Sequence, residues 1–416
     1  MSLSVSTTKK LRFGIGVALV AALVLGFGIW WIHDLRETRR LDATSVTLKP
    51  ELTVEFGEAT KVSDFIANLQ GSMIDDFTID TTQLGEVKVK FEYINSRNRR
   101  RPYEFTIQVI DTSAPKILGR SSYTVAKGYT GDLTALALSG DFVDDNPVRE
   151  IVGTYDLNRV GNYPLTYVVT DASGNRTEHK FTLNVVNSTA SSGGSSSVPS
   201  TDNRTPISAI IASHKNPFTS VGIDVSSWQG EIDWQQVKQA GVEFAIMRLG
   251  YQKGYDGENI IDSYFEANID GAKSVGLPVG IYYYSYAQNS DQARAQAEWV
   301  LEQLHGRELE LGITFDWESW ADFNELGMSF HTTNHVANTF LDRVAEAGYS
   351  TMLYGSKYYL EQIWCPGKRS VWLAQYYDYA TYEDPYDIWQ MTDSGKVPGI
   401  AGSVDVDIKY INSEGE

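Results

Sequence analysis

The sequence predicts a multidomain chain: an N-terminal transmembrane helix, two small all-β sandwiches, and a C-terminal irregular α/β barrel of TIM type with eight strands and fewer helices. Three observations predict it. An uncharged apolar run extends from Phe13 to Ile32. The stretch from Asp42 to Asn187 has an all-β pattern that repeats, with Thr78–Val109 aligning with Thr154–Val185 without a gap. From Val221 onward, strand-like runs alternate with helical patterns, the signature of parallel β/α architecture. At 416 residues the chain exceeds one ordinary domain, and 42% hydrophobic and 12% aromatic residues suit folded cores rather than disorder.

Lys9, Lys10 and Arg12 precede the apolar run, and Trp30 and Trp31 stand at its far end. Twenty such residues in a helix cover about 30 Å, the thickness of a bilayer's hydrocarbon core. Aromatic residues belong at its interface. A cleavable signal peptide needs a shorter apolar region and a small-x-small site, which Phe27-Gly28-Ile29-Trp30-Trp31 does not supply. The reading is a cytoplasmic tail over 1–12 and an uncleaved single-pass anchor over 13–32. The remainder then lies outside the cell membrane.

Residues 42–112 and 113–187 form the repeat. Thr78–Gly85 lines up with Thr154–Gly161, Val89–Tyr93 with Leu165–Val169, and Tyr103–Val109 with His179–Val185. Alternation marks strands with one buried face, and Ser96-Arg-Asn98 and Ala172-Ser-Gly-Asn175 are hairpin-turn chemistry. The second copy resembles bacterial immunoglobulin-like modules of surface proteins, through Ser113-Ala-Pro115, Gly161-Asn-Tyr163 and Thr170-Asp-Ala-Ser-Gly-Asn175. Both modules read as spacers. Arg97, Arg99, Arg100 and Arg101 read as a solvated hairpin tip. Residues 188–220 open with a Ser/Gly/Thr-rich stretch and read as a flexible linker.

In the domain from 221 to 416, strands are expected at Val221–Val225, Phe244–Leu249, Val279–Tyr286, Ile313–Glu318, Thr351–Tyr354, Val371–Ala374, Tyr386–Gln390 and Val404–Ile408. Helices are expected at Asp262–Val275, at Asp291–Leu304 capped by Ser290, and at His331–Ala347 closed by Gly348. Later gaps are too short for full helices. In such a barrel the chemistry lies at the C-terminal ends of the strands.

Acidic residues stand at those ends: Asp224 closes the first strand, Asp316 and Glu318 close the fourth, and Asp405 lies on the last. Asp316 and Glu318, two apart on a strand, would project from one face. Like charges that close raise the proton affinity of one carboxyl and leave the other ionised. Glycosidic bond cleavage needs that division of labour: one acid to protonate the leaving oxygen, and one carboxylate to stabilise the cationic centre.

Several classes are excluded. The stretch from Val221 to Glu416 holds 30 acidic and 12 basic residues, whereas the first 220 residues balance, so nucleic acid is no partner. Cys365 is the only cysteine, which leaves no intrachain disulfide and no cysteine-rich metal site. His331 and His335 have the spacing of a zinc pair but lack the following glutamate, and neither metal nor cofactor is expected.

The ordered set Gly222-Ile-Asp-Val-Ser-Ser-Trp-Gln-Gly230, Ile232-Asp-Trp234, Asp316-Trp-Glu318, Trp372-Leu-Ala-Gln-Tyr376, Trp389-Gln390 and Val404-Asp405 resembles glycoside hydrolase family 25, the lysozymes of bacterial, phage and fungal origin. The resemblance runs from about Val221 to Tyr410. It implies an N-acetylmuramidase that cuts the β-1,4 bond between N-acetylmuramic acid and N-acetylglucosamine in peptidoglycan glycan strands. Carried over by position, Glu318 is the general acid. Asp316 stabilises the cationic centre or orients the substrate's acetamido group, and Asp224 and Asp405 complete an acidic floor. Tyr282, Tyr284, Trp372, Tyr376, Trp389 and Gln390 are expected to line the groove. Many members have Tyr-His-Phe where this chain has Tyr282-Tyr283-Tyr284. A glycan-binding surface protein without catalysis is the rival reading, but it does not require all four carboxylates.

Overall fold

The computed structural model describes residues 22–40, 45–187 and 202–411. The chain forms two compact units, Met1–Thr112 and Ser113–Glu416.

In the first unit, residues 22–40 are helical, passing through Ile32 to the charged positions Arg36, Arg39 and Arg40. Residues 13–21 of the expected span lie outside the described residues. Among the described residues, no helix is long and apolar enough to cross a membrane. The β module that comes next in the chain is a four-stranded sheet in the order Thr53–Glu55, Arg100–Ile110, Gly85–Asn95, Gly71–Met73. Its inward face buries Val89, Phe91, Tyr93, Phe105, Ile107 and Val109, every second residue of the central hairpin, as a half-buried antiparallel pair requires. At the hairpin tip, Arg97 bridges to Asp34 at 3.0 Å and Arg100 is paired with Glu92, so these two arginines are engaged.

The second unit opens with the repeat of this sheet: Ser122–Ala126, Arg176–Val186, Gly161–Thr170, Val148–Val152. The register repeats as well. Gly85 pairs with Val109 in one module, and Gly161 pairs with Val185 in the other.

The barrel strands are β1 (Thr219–Val225), β2 (Phe244–Gln252), β3 (Val279–Tyr284), β4 (Ile313–Asp316), β5 (Thr351–Ser356), β6 (Ser370–Ala374), β7 (Ile388–Lys396) and β8 (Val404–Tyr410). Neighbours from β1 to β7 run parallel. The last strand does not. β8 is antiparallel to both β7 and β1 and closes the ring. Only Val397–Ser403 separates β7 from β8, too short a path for the crossover that a parallel neighbour needs. The eighth strand therefore enters the barrel from the catalytic end.

Along each strand, residues alternate between the helical shell and the barrel interior. Val221, Ile223 and Val225 face the shell, with Phe315, Leu353, Leu373 and Val406. Phe244, Ile246, Met352, Tyr354, Trp372, Ala374 and Ile388 form a separate interior cluster. Helices Phe265–Ser274, Ser290–Leu304 and Phe330–Glu346 cover the outside. Asn289, not Ser290, caps the second of these, accepting from the Gln292 amide. Gly312, just before the start of β4, has φ 71°, and a Cβ there would lie 2.2 Å from the Ser350 carbonyl oxygen, so only glycine lets β4 start against its neighbour.

The flexible-linker expectation is corrected over its second half. Thr205–Pro206 pairs with β7, and helix Ile207–His214 buries Ile207 and Ile210 in the barrel's shell. Arg204 donates to the carbonyls of Ala401 and Gly402, each at 2.8 Å. Residues 188–201 lie outside the described residues.

Candidate active site

The acidic floor is assembled from strands distant in sequence. Asp224 lies near the end of β1, and its register partner on β8 is Asp405. Because β8 runs the other way, its beginning sits beside the ends of β1 to β7, which brings Asp405 to the mouth. Asp407 comes two residues deeper on the same face, fully buried, and its Oδ1 accepts from Trp372 Nε1 at 2.9 Å. Sequence reasoning missed Asp407, although the alternation Val404-Asp-Val-Asp-Ile408 already places both aspartates on one face. It also missed Tyr354 and Arg248.

Asp316 is the last residue of β4 and is buried. Glu318 is not on the strand, contrary to the expected boundary. It stands at the head of a short 3-10 turn with φ −131° and ψ 21°, exposed at the rim. Between them Trp317 points away into the shell, where its Nε1 donates to the Ala287 carbonyl at 3.1 Å. The break at Trp317 leaves Glu318 close to Asp316, but on a turn rather than in a ladder.

A narrow pocket of about 80 Å³ is lined by Asp224, Tyr282, Asp316, Glu318, Tyr354, Trp372, Gln390 and Asp405. Gln390 ties its walls together. Its Oε1 accepts from Tyr354 at 2.9 Å and Tyr376 at 3.0 Å, while its Nε2 donates to Asp224 Oδ2 at 2.8 Å. Tyr376 is about half exposed, with its hydroxyl turned in. Tyr284 lies beyond Tyr282 on the same face of β3 and is paired in register with Asp316. Trp389 is placed elsewhere. It alternates with Gln390, so its ring is buried in the shell, donates to the Gln375 carbonyl at 2.8 Å and meets His214 edge-on. The expectation that Trp389 lines the groove is corrected for that reason.

Electrostatics favour bound protons. Burial, then Asp405 and Asp407, push the Asp224 carboxyl well above the usual carboxylate range. Burial and the Asp393 charge raise Asp405 to about 6. Asp407 is held well up by burial, partly offset by the Trp372 bond. Asp316 is raised by burial and then by the Glu318 charge, with Arg248 pulling the other way. Glu318 is open to water at its tip yet walled in by protein, and that partial loss of hydration raises it too. Asp316 and Glu318 thus hold a proton as a pair, at a pH where ordinary carboxyls have lost theirs. Arg248 is anchored by Asp262, with Nη2 at 2.7 Å.

A closed barrel whose mouth presents a proton-holding carboxylate pair, an acidic floor and an aromatic wall is chemically equipped as a glycoside hydrolase. Residues 223–400 match the family model for glycosyl hydrolases family 25. Over 189 residues the chain is 30% identical to an autolytic lysozyme of Clostridium acetobutylicum, which covers 45% of this chain and 54% of that protein. The chain thus spans about half the length of that relative. It is also 41% identical over 78 residues to lysozyme M1 of Streptomyces globisporus, 19% of this chain and 24% of that one. Among solved structures, a family 25 glycosyl hydrolase from Bacillus anthracis superposes with a TM-score of 0.42 at 20% identity, covering 48% of this chain and 93% of that one.

Proposed function

We propose that this chain is a membrane-anchored peptidoglycan hydrolase that cleaves the β-1,4 bond between N-acetylmuramic acid and N-acetylglucosamine. The observation that carries this reading is the Asp316–Glu318 pair, raised in proton affinity, at the end of β4 beside a pocket. Glu318, at the rim, donates its proton to the leaving oxygen. Asp316, deeper and with a buried Oδ1 that has no partner, faces the developing cation or the substrate's acetamido group. The pocket is far below the roughly 300–1,000 Å³ of a whole-ligand site. It therefore takes one substituent of a sugar, while the glycan strand lies across the open mouth against Tyr376 and Tyr284. Asp224 and Asp405 form its floor.

The family match over residues 223–400 and the Clostridium lysozyme support the substrate class. The apolar run from Phe13 to Ile32 supports the anchor, with the enzyme facing the wall. The first β module serves as an immunoglobulin-like spacer in this arrangement. Digestion of purified peptidoglycan followed by reducing-end analysis tests the reaction: new N-acetylmuramic acid ends are expected, and new N-acetylglucosamine ends alone would refute the bond choice. Protease added to wall-stripped cells tests the anchor. The catalytic domain should be released, and full protection would overturn its placement.

A further inference from the structure

We propose that the second β module is a working part of the catalytic site: through Asn324 and Asp145 it holds the turn after Glu318 and so positions that carboxyl. The proposal rests on the reading of Glu318 as the acid. The sequence reads the module as a spacer, and the second unit is built otherwise.

Glu318 lies beyond the end of β4, so no sheet ladder fixes it. Its backbone is set by the residues C-terminal to it, beginning with the Trp320 amide, which donates to the Glu318 carbonyl at 2.7 Å. Trp320 packs on Trp317, with ring centroids 4.7 Å apart, and also against Phe323. Six residues past Glu318 stands Asn324, whose side chain bonds to the β module. Its Nδ2 donates to the carbonyls of Thr134 at 3.1 Å and Ala137 at 2.8 Å, and its Oδ1 accepts from the Ser139 amide at 2.9 Å. That uses three of the bonds an amide side chain can make, all on backbone groups.

The next segment is held in the same way. Helix Phe330–Glu346 begins with amides that have no partner inside the helix. Module carbonyls satisfy them: the Phe330 amide donates to Asp141 at 2.8 Å, and that of His331 to Phe142 at 3.0 Å. Asp145 Oδ1 accepts from the Ser329 amide at 2.6 Å and the Thr332 hydroxyl at 2.9 Å, which sets a carboxylate at the positive end of the helix. Under these bonds the apolar surfaces merge. Leu118, Leu138 and Phe142 of the module pack against the barrel's own core. Gly140 sits so close that a Cβ would come within 2.8 Å of the Phe323 and Phe330 rings. The turn from Ser319 to Ser329 is thus clamped between the barrel shell and the module, with Glu318 at its free end.

The test compares Asn324→Ala, Asp145→Ala and Asp145→Asn in the full chain. Hydrogen exchange over residues 317–331 is measured together with kcat, KM and the pH profile on soluble glycan fragments. Asn324→Ala should speed exchange across 317–331 and lower kcat by roughly ten- to a hundredfold with little change in KM, as for a misplaced reacting group. Its pH profile should shift as Glu318 moves against Asp316. Asp145→Asn, which keeps the accepting oxygen, should restore kcat to within about twofold of the parent, where Asp145→Ala does not. Faster exchange with unchanged kcat and pH profile overturns the proposal, as does unchanged exchange at 317–320. If the unmodified chain proves inactive on peptidoglycan, the hydrolase reading falls. Exchange at 317–320 then decides the clamp alone.

Discussion

Asp224 and Asp405 face each other as register partners across the seam between β1 and β8, one of the two where the antiparallel strand meets the parallel ones. Asp407 lies one step below on the same face of β8, so three carboxyls share a space that Gln390 and Trp372 reach with one hydrogen bond each. Full ionisation of all three would place like charges in a poorly hydrated interior, and the raised proton affinities result from that. The floor is therefore a proton-storing structure as well as an acidic one.

Asp407→Asn should stabilise the fold in alkaline conditions. A carboxyl whose proton affinity is raised in the folded state contributes stability below its unfolded pKa, and this is lost as pH rises through the folded value. The window opens near pH 4 and extends upward past about 6, where the neighbouring Asp405 loses its proton. Asparagine keeps the oxygen that accepts from Trp372 and removes the charge. Thermal unfolding should show a larger gain in Tm at pH 8 than at pH 4. An equal gain at both would show that charge is not the cause.

Glu318→Gln should lower turnover on peptidoglycan on the order of 10²–10⁴-fold, the usual loss when a general acid is removed. Glycan binding should survive, since Tyr282, Tyr376 and Trp372 are untouched. On an activated aryl glycoside, whose leaving group hardly needs a proton, Glu318→Gln should regain part of its rate. Asp316→Asn should not. Near-parental digestion of peptidoglycan by Glu318→Gln would exclude it as the acid.

Asp405→Asn should move the alkaline limb of the kcat/KM profile to lower pH. Asp405 and Glu318 repel each other when both are ionised, so the negative charge on Asp405, acquired at about 6, helps Glu318 keep its proton. Removing that charge lowers the proton affinity of the Asp316–Glu318 pair. A limb that stays in place or moves up would contradict the coupling.

Trp389→Ala should cost about 3–5 kcal/mol of stability, as expected for emptying a buried aromatic site. Trp389→Phe, which keeps most of the ring, should leave KM for glycan unchanged. Trp372→Phe should behave differently, because it removes both a pocket wall and the bond to Asp407. Glycan titration of the two phenylalanine variants separates the roles, and weakened binding by Trp389→Phe would return that residue to the groove.

Much of the architecture is local and so was legible in the chain. Period-two alternation marks the module hairpins, and the ungapped repeat foretells their shared register, with Gly85 opposite Val109 and Gly161 opposite Val185. Eight strand-like runs and four carboxylates at or near their ends are also local signals, since each needs only a few neighbouring residues to be seen. What the sequence could not decide depends on closure and on contacts between distant segments. The direction of β8 turns on the length of one connection and on ring closure, and it alone brings Asp405 to the mouth and buries Asp407 beneath it. Trp389 and Gln390 are equally plausible as groove residues until the barrel assigns one to each face. The grip of Asn324 on Thr134, Ala137 and Ser139 is made of loop backbone with no periodicity to announce it, because such bonds depend on position and not on residue pattern.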